Sequence, residues 1–360
     1  MRAMDLPAFV RENVALAPMT TLELGGSARY FVDATTEPML IEALEWAHAK
    51  GLSVRILAGG SNTIVTDAGC AGLVVRVSTR GERVERLDDG RVRVSAAAGE
   101  PWDEFVGRCV RKGWGGLECL SGIPGSVGAT PIQNVGAYGQ DVSETIESVR
   151  VWDPQTRRER VVSAKDCRFA YRDSAFKDRK SRLNSCVVLE VSFVLKERGT
   201  PRVRYSELQI ALADAGVGEA TIEDVRNAVI ATRAKKSMVL REGDPNRRSV
   251  GSFFKNVIVT PAQFAALLER LPPADQWSVP RWEEPDGRYK VASAWLIERA
   301  GFSKAMRRGN VGLSSQHVLA LVHHGGGSAE ELLALADEII AKVREVWGVT
   351  LEREPVVMAP

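Results

Sequence analysis

Ala58-Gly59-Gly60-Ser61-Asn62, Gly122-Ile123-Pro124-Gly125-Ser126-Val127-Gly128 and Gln133-Asn134-Val135-Gly136-Ala137-Tyr138-Gly139 are the stretches that decide the fold of this 360-residue chain. Glycine lets backbone N–H groups turn outward and approach an anion closely, because no Cβ intervenes. Ser61, Ser126 and Asn134 add side-chain donors. Three such loops together can cradle a diphosphate and the edge of a planar ring. Neither a G-x-G-x-x-G fingerprint nor a G-x-x-x-x-G-K-[ST] loop occurs, so a phosphate site here is of another kind.

Outward from the first loop, the pattern alternates strand and helix. Tyr30-Phe31-Val32 reads as a strand, and Thr36-Glu37-Pro38 as an N-cap with proline in the first turn. Leu40, Ala43, Leu44 and Ala47 recur at helical spacing up to Gly51. Val54–Leu57 and Gly72–Val77 read as further strands. From Arg91 to about Thr200 the chain turns β-rich, with Val92/Val94 and Val149/Val151 alternating. Val187–Val191 and Phe193–Leu195 read as a buried strand pair. One helix interrupts them, its face formed by Trp102, Phe105, Val106, Cys109 and Val110 and its end by Gly113. Thr221 to Thr232 predicts a helix capped Thr-x-x-Asp, and Ser328 with Glu331 a capping box opening a last helix that Gly348 ends.

A net charge of +2 gives no global pull toward nucleic acid or a membrane surface. Local charge differs: Ala231–Val250 holds Arg233, Lys235, Lys236, Arg241, Arg247 and Arg248 against Glu242 and Asp244, and a domain boundary is expected nearby. No apolar run reaches the length of a membrane span, and Met1-Arg2-Ala3-Met4-Asp5 lacks the design of a secretory signal. Cys70, Cys109, Cys119, Cys167 and Cys186 are odd in number with no C-x-x-C pair, which predicts small buried residues in a reducing cytoplasm rather than disulfides or zinc. His323-His324 reads as a strand-end surface pair, because adjacent strand residues point to opposite faces and nothing completes a metal set. Trp102, Trp114, Trp295 and Trp347 read as core or interface anchors.

Gly60-Ser61-Asn62, Ile123-Pro124-Gly125, Pro131 to Gly139, Tyr171-Arg172-Asp173-Ser174 and Gly251-Ser252-Phe253-Phe254-Lys255-Asn256 occur in one order, and that order resembles the UDP-N-acetylenolpyruvylglucosamine reductase family. The resemblance runs from about Thr20 to Val356 and includes the subgroup with an extra tyrosine-bearing substrate loop. It implies an α+β protein: a two-lobed FAD-binding domain of the vanillyl-alcohol-oxidase type (lobes 1–75 and 76–230) and a C-terminal α+β substrate-binding domain (231–360). The implied reaction is NADPH-dependent reduction of UDP-N-acetylglucosamine enolpyruvate to UDP-N-acetylmuramate in peptidoglycan precursor synthesis, by a cytoplasmic monomer with no metal.

By position, the resemblance assigns noncovalent FAD to Gly59, Gly60, Ser61, Asn62, Gly122, Ile123, Pro124, Gly125, Ser126, Gly128, Gln133, Asn134, Gly136, Ala137 and Tyr138. Ser252 matches the proton donor, and Arg172 and Glu354 the pair beside the enolpyruvyl group. Tyr171, Tyr205, Arg233, Lys236 and Asn256 match substrate ligands, Tyr205 closing over the nucleotide sugar. Two departures stand out. Ala58 occupies a position where many relatives have glycine, and Leu351-Glu352-Arg353-Glu354-Pro355 offers a second glutamate, Glu352. Serine alone is a poor acid, and Lys255, water or Glu354 are the candidate assistants. Two other readings are an FAD oxidase of the same fold and a non-enzymatic flavin or nucleotide-sugar sensor. The first commonly carries a covalent His or Cys attachment that these loops lack, and the second has no need of Arg172, Ser252 and Glu354 together.

Overall fold

The structure, a computed structural model, describes residues 6–201 and 203–360. The opening segment Met1–Asp5, read above for a signal, lies outside the described residues. The chain divides into two compact units. One takes in the chain up to Val14, Ala28–Gly60 and Cys70–Leu240, and the other Ala15–Ser27, Ser61–Gly69 and Arg241–Pro360.

Among its described residues, the first unit contains one two-stranded hairpin, Gly136–Ala137 with Gln140–Asp141, and two large sheets. In one, the strands run Arg11–Ala15, Ser27–Ala34, Cys70–Val77, Val54–Leu57, and the last three pair in parallel. Helix α1, Glu37–Ala49, makes the crossover between Ser27–Ala34 and Val54–Leu57. Thr36 caps it by accepting from Met39 N at 3.3 Å, and Gly51 leaves it at φ +66°. Asp33 and Arg76 are register partners across the parallel pair and join in a two-pronged ion pair.

The other sheet is antiparallel, in the order Arg158–Ser163, Ile146–Asp153, Val187–Glu197, Arg91–Ala97, Glu82–Arg86. The strand pair expected at Val187–Leu195 is one continuous strand of 11 residues. The reason is local. Ser192 alone cannot reverse the chain, since even the tightest hairpin needs two turn residues. Instead Ser192 stays in register with Ser95, their hydroxyls 2.7 Å apart. Helix α2, Trp102–Arg111, buries Trp102 and Phe105 against Phe193 of this strand, with ring centroids 5.2–5.9 Å apart. One core runs from Val32, Leu40 and Leu73 to Val92, Trp102 and Phe193, so α1 and α2 share it. Helices α3, Ser206–Asp214, and α4, Ile222–Lys235, close a small cluster of Leu208, Leu212, Val225, Val229 and Cys119. The Thr221 capping box of α4 forms as its sequence predicts.

The second unit is built on helix packing against short strands. After α5, Pro261–Leu268, and α6, Ser293–Arg299, the long α7, Ala329–Trp347, lays Leu332, Leu335, Ile339 and Val343 into a core with Phe253, Phe254, Leu296 and Leu321. Ser328 and Glu331 form the expected capping box, and Gly348 ends the helix at φ +71°. A parallel pairing of Thr63–Val65 with Val356–Met358 brings the segment after the first glycine loop to the C-terminal strand.

The histidine expectation needs correction. His323 is indeed the end of a strand, Leu321–His323, but it is buried rather than surface-exposed. Its Nε2 accepts from Gly327 N at 3.1 Å, so its Nδ1 carries the proton and donates to Leu22 O at 2.9 Å. His324 is half-buried, and burial lowers its pKa. The bonds of His323 to Leu22 O and to Arg248 O reach far along the chain, and no local pattern signals them. Among the described residues no His, Cys, Asp and Glu group could hold a metal. Four cysteines are buried and Cys186 is half-buried. Burial pushes the Cys109, Cys119 and Cys167 thiols up to about 12, which keeps them unreactive. Trp102, Trp114 and Trp347 are core residues, and Trp295 packs on Trp347 with ring centroids 5.2 Å apart. No described helix is long and apolar enough to cross a membrane.

Candidate active site

In the first unit the glycine loops converge. The strand Val54–Leu57 ends in Ala58-Gly59-Gly60, with Gly60 at φ +65°. A Cβ on Gly59 would lie 2.6 Å from the Gly125 Cα, so the backbones of the first two loops touch, and only glycine permits that approach. Gly125 O accepts from Trp102 N at 3.0 Å, Val127 N donates to Glu100 O at 2.9 Å, and Gly128 N donates to Ala98 O at 2.8 Å. The second loop is thereby fastened to the entry of α2. Gly122 N donates to Asp103 at 2.6 Å, and Arg226 of α4 grips the same carboxylate at 2.7 and 3.0 Å. Burial works to raise the Asp103 pKa, but Arg226 and the Gly122 amide outweigh it and leave it lowered. The Asp103–Arg226 brace escaped sequence reading. Its signal was an acidic residue in the first helical turn ahead of a glycine loop.

The third loop is a hairpin. Gly136-Ala137 pairs with Gln140-Asp141, and both residues between them, Tyr138 at φ +51° and Gly139 at φ +78°, are left-handed, as a type I′ turn requires. Tyr138 meets Tyr205, at the start of α3, edge to face with centroids 5.5 Å apart. Burial raises the Tyr138 phenol to about 12 and also raises that of Tyr205, so both are neutral donors at physiological pH.

Tyr171 and Arg172 form the middle of a turn closed by Ala170 N to Asp173 O at 3.0 Å. Arg172 sits at φ +52°, its guanidinium donating to Gly136 O at 2.6 Å and lying 5.5 Å from the Tyr171 ring centroid. The Asn134 side chain, anticipated as a ligand donor, holds this turn: it donates to Ala170 O at 3.1 Å and accepts from Ser143 N at 3.2 Å. Its backbone is left-handed at φ +46°.

Arg233, in the last turn of α4, lies beside Gly122 and donates to Met238 O at 2.8 Å, while its Nε is buried without a partner. Burial lowers its pKa, the positive field of Arg172 adding to the effect. Lys236 is held by Glu207 of α3 at 2.7 Å. In the second unit, Arg247 and Arg248 both pair with Glu23.

In the second unit, distant sequence comes together around Ser252. Gly251 turns at φ +72°, and Phe253 N donates to Leu319 O at 2.7 Å. Phe253 and Phe254 are buried, ring on ring at 5.2 Å. Glu354 N donates to Phe253 O at 2.9 Å, and Lys255 N to Glu352 O at 3.0 Å, so the C-terminal segment runs alongside the Ser-Phe-Phe-Lys segment. Lys255 pairs with the Glu352 carboxylate at 2.9 Å, and Glu352 is 73% exposed. Glu354 is half-buried, and Asn62 connects to it from the first glycine loop: Asn62 Nδ2 donates to Glu354 O at 3.3 Å and Val356 N to Asn62 O at 3.0 Å. Asn256 Oδ1 accepts from Ser293 N at 3.1 Å, at the start of α6.

The first-unit loops fit a flavin dinucleotide on their own geometry. Ser126 Oγ is buried with no partner, as is Arg233 Nε, and the touching backbones leave no room for a side chain between Gly59 and Gly125. An FAD binding domain matches residues 28–161. Fold and cradle thus define an FAD-dependent oxidoreductase with an FAD-binding domain of the vanillyl-alcohol-oxidase type. The C-terminal domain of UDP-N-acetylenolpyruvoylglucosamine reductase matches residues 244–358. The chain is similar to the UDP-N-acetylenolpyruvoylglucosamine reductases of Thermobifida fusca, 45% identical over 98% of both chains, and Mycobacterium tuberculosis, 42% identical over 98% of this chain and 96% of that one. The crystal structure of UDP-N-acetylenolpyruvylglucosamine reductase from Thermus caldophilus matches 97% of this chain and 99% of its own, at 26% identity and a TM-score of 0.64. The chain belongs to the UDP-N-acetylenolpyruvoylglucosamine reductase family.

Proposed function

We propose that Ser252, Arg172 and Glu354 carry the substrate-reducing half of this family's reaction. The chain catalyses the NADPH-dependent reduction of UDP-N-acetylglucosamine enolpyruvate to UDP-N-acetylmuramate, a step of peptidoglycan precursor synthesis. When bound, FAD would supply the hydride-transfer chemistry between NADPH and C3 of the enolpyruvyl group. Gly59 to Asn62, Gly122 to Gly128 and Gln133 to Tyr138 hold it noncovalently, Asn134 through its backbone.

Hydride addition at C3 drives negative charge toward C2 and the carboxylate, and the Arg172 guanidinium stabilises it with fixed planar donors. Ser252 then delivers a proton to C2, which completes the lactyl ether. The observation that carries this reading is the bond from Glu354 N to Phe253 O at 2.9 Å, which sets Glu354 beside the residue following Ser252. The Lys255–Glu352 pair, with Glu352 turned to solvent, supports Glu354 over Glu352 as the glutamate of the site. Tyr171, Tyr205, Arg233, Lys236 and Asn256 bind the nucleotide sugar, Arg233 and Lys236 at its diphosphate. Lobes 1–75 and 76–230 serve the cofactor and 231–360 the substrate. The enzyme works as a cytoplasmic monomer without nucleic-acid or membrane partners, and its net charge of +2 gives no pull toward either of the latter.

The test separates the two half-reactions. Flavin reduction by NADPH needs no proton delivered to substrate carbon, so Ser252→Ala is expected to leave it within a few-fold of wild type while slowing reoxidation by the enolpyruvyl sugar about 10²-fold or more. Ser252→Cys recovers part of the loss. Equal slowing of both halves in single-turnover absorbance would reduce Ser252 to a residue that shapes the site.

A further inference from the structure

We propose that Lys177 is a positioning residue for Arg172, fixing the backbone from which the guanidinium reaches its target; this rests on the role given to Arg172 above. Arg172 is a non-glycine residue at φ +52°, in the third position of the Ala170–Asp173 turn. That conformation is costly for a residue with a long side chain, so the bonds that hold it matter. Lys177 Nζ donates to Arg172 O at 3.0 Å, a charge-assisted bond that pins the peptide plane after the arginine. At the other end the guanidinium donates to Gly136 O at 2.6 Å. The arginine is therefore held at its carbonyl and at its tip.

Lys177 itself stands on a firm mount. Its N donates to Ser174 O at 3.0 Å, and Phe176 before it is buried, with Asn184 donating to the Phe176 carbonyl at 2.8 Å. Ser174 Oγ donates to Ile132 O at 2.6 Å and so ties the mount to the segment that leads into the third glycine loop. Without the ammonium, the Arg172 carbonyl loses its charge-assisted partner, and the backbone holds the guanidinium less firmly along Gly136. A fault of this kind affects the step that uses Arg172 and spares the cofactor.

The experiment compares Lys177→Met, which keeps the stem and loses the donor, with Lys177→Arg, which keeps a donor, in the FAD-loaded enzyme. Lys177→Met is expected to slow flavin reoxidation by the enolpyruvyl sugar about tenfold, the range for one charge-assisted hydrogen bond. Flavin reduction by NADPH and FAD content stay at wild-type levels, and Lys177→Arg restores most of the rate. Amide exchange over residues 170–174 is expected to rise in Lys177→Met and to return toward wild type in Lys177→Arg. Equal slowing of both half-reactions, or loss of FAD, would show a structural role only and overturn the proposal. Wild-type reoxidation in Lys177→Met overturns it too. Arg172→Ala separates the layers: if it slows reoxidation and Lys177→Met does not, only the positioning role falls, whereas normal reoxidation in Arg172→Ala removes the role of Arg172 and the proposal with it.

Discussion

Replacing Gly59 by alanine asks whether the first two loops form one cradle. The added Cβ would stand 2.6 Å from the Gly125 Cα, 2.9 Å from its carbonyl carbon and 3.4 Å from its nitrogen. Carbon atoms in contact prefer about 3.5–4.0 Å, so one backbone has to retreat by roughly 1 Å. Gly125 cannot retreat freely, since it sits at φ +125° and its carbonyl receives the Trp102 amide at 3.0 Å. Forcing extra volume into a packed site costs about 1–3 kcal/mol. If the strain falls on the cofactor-bound arrangement, FAD affinity drops about five- to hundredfold. The assay is titration of the FAD-stripped protein with FAD, followed by flavin fluorescence, with Gly218→Ala alongside. Gly218 has no heavy atom within 4 Å of the position its Cβ would take, and its variant is expected to bind like wild type. A Gly59→Ala protein with wild-type FAD affinity and melting temperature would refute the touching-loop cradle. Equal loss in Gly218→Ala would show that the effect is not steric.

Lys236→Ala is expected to raise the Michaelis constant for the nucleotide sugar and to leave FAD bound, because the charge it removes is local to α3 and α4; unchanged substrate affinity across several salt concentrations would remove Lys236 from diphosphate binding. Asp33 has its pKa lowered first by its bond to Arg76, against the opposing pull of burial. Its contribution to stability is therefore present above the unfolded value of about 4 and lost as pH falls through the lowered folded value. With the two side chains 30% and 37% exposed, Asp33→Asn is expected to cost on the order of 1 kcal/mol at pH 7. Denaturant unfolding of both proteins at pH 7 and near pH 3 reads this, and a gap that widens in acid would contradict the sign.

What the sequence determined by itself was local or motif-borne. Thr36, Thr221 and Ser328 announced three helix starts because each cap is decided within four residues, and the structure has all three. The glycine loops were legible because close backbone approach tolerates little else, and their order with Tyr171-Arg172 and Ser252 to Asn256 carried the family resemblance. The tertiary structure decided what depends on partners distant in the chain. Val187–Glu197 takes its register from Arg91–Ala97 and Ile146–Asp153 on either side. His323 is internal with its Nδ1 bonded to Leu22 O, 301 residues away in the chain. The Asn134 side chain goes to Ala170 and Ser143, Lys255 to Glu352, Lys236 to Glu207, and Asp103 to Arg226 and the Gly122 amide. Outside a capping box, these side chains carry little mark of their partners in their own neighbourhood, since most of those bonds form only when folding brings in a group from elsewhere. Sequence therefore supplied the candidate residues, and the packing of the chain decided which protein groups their side chains bond to.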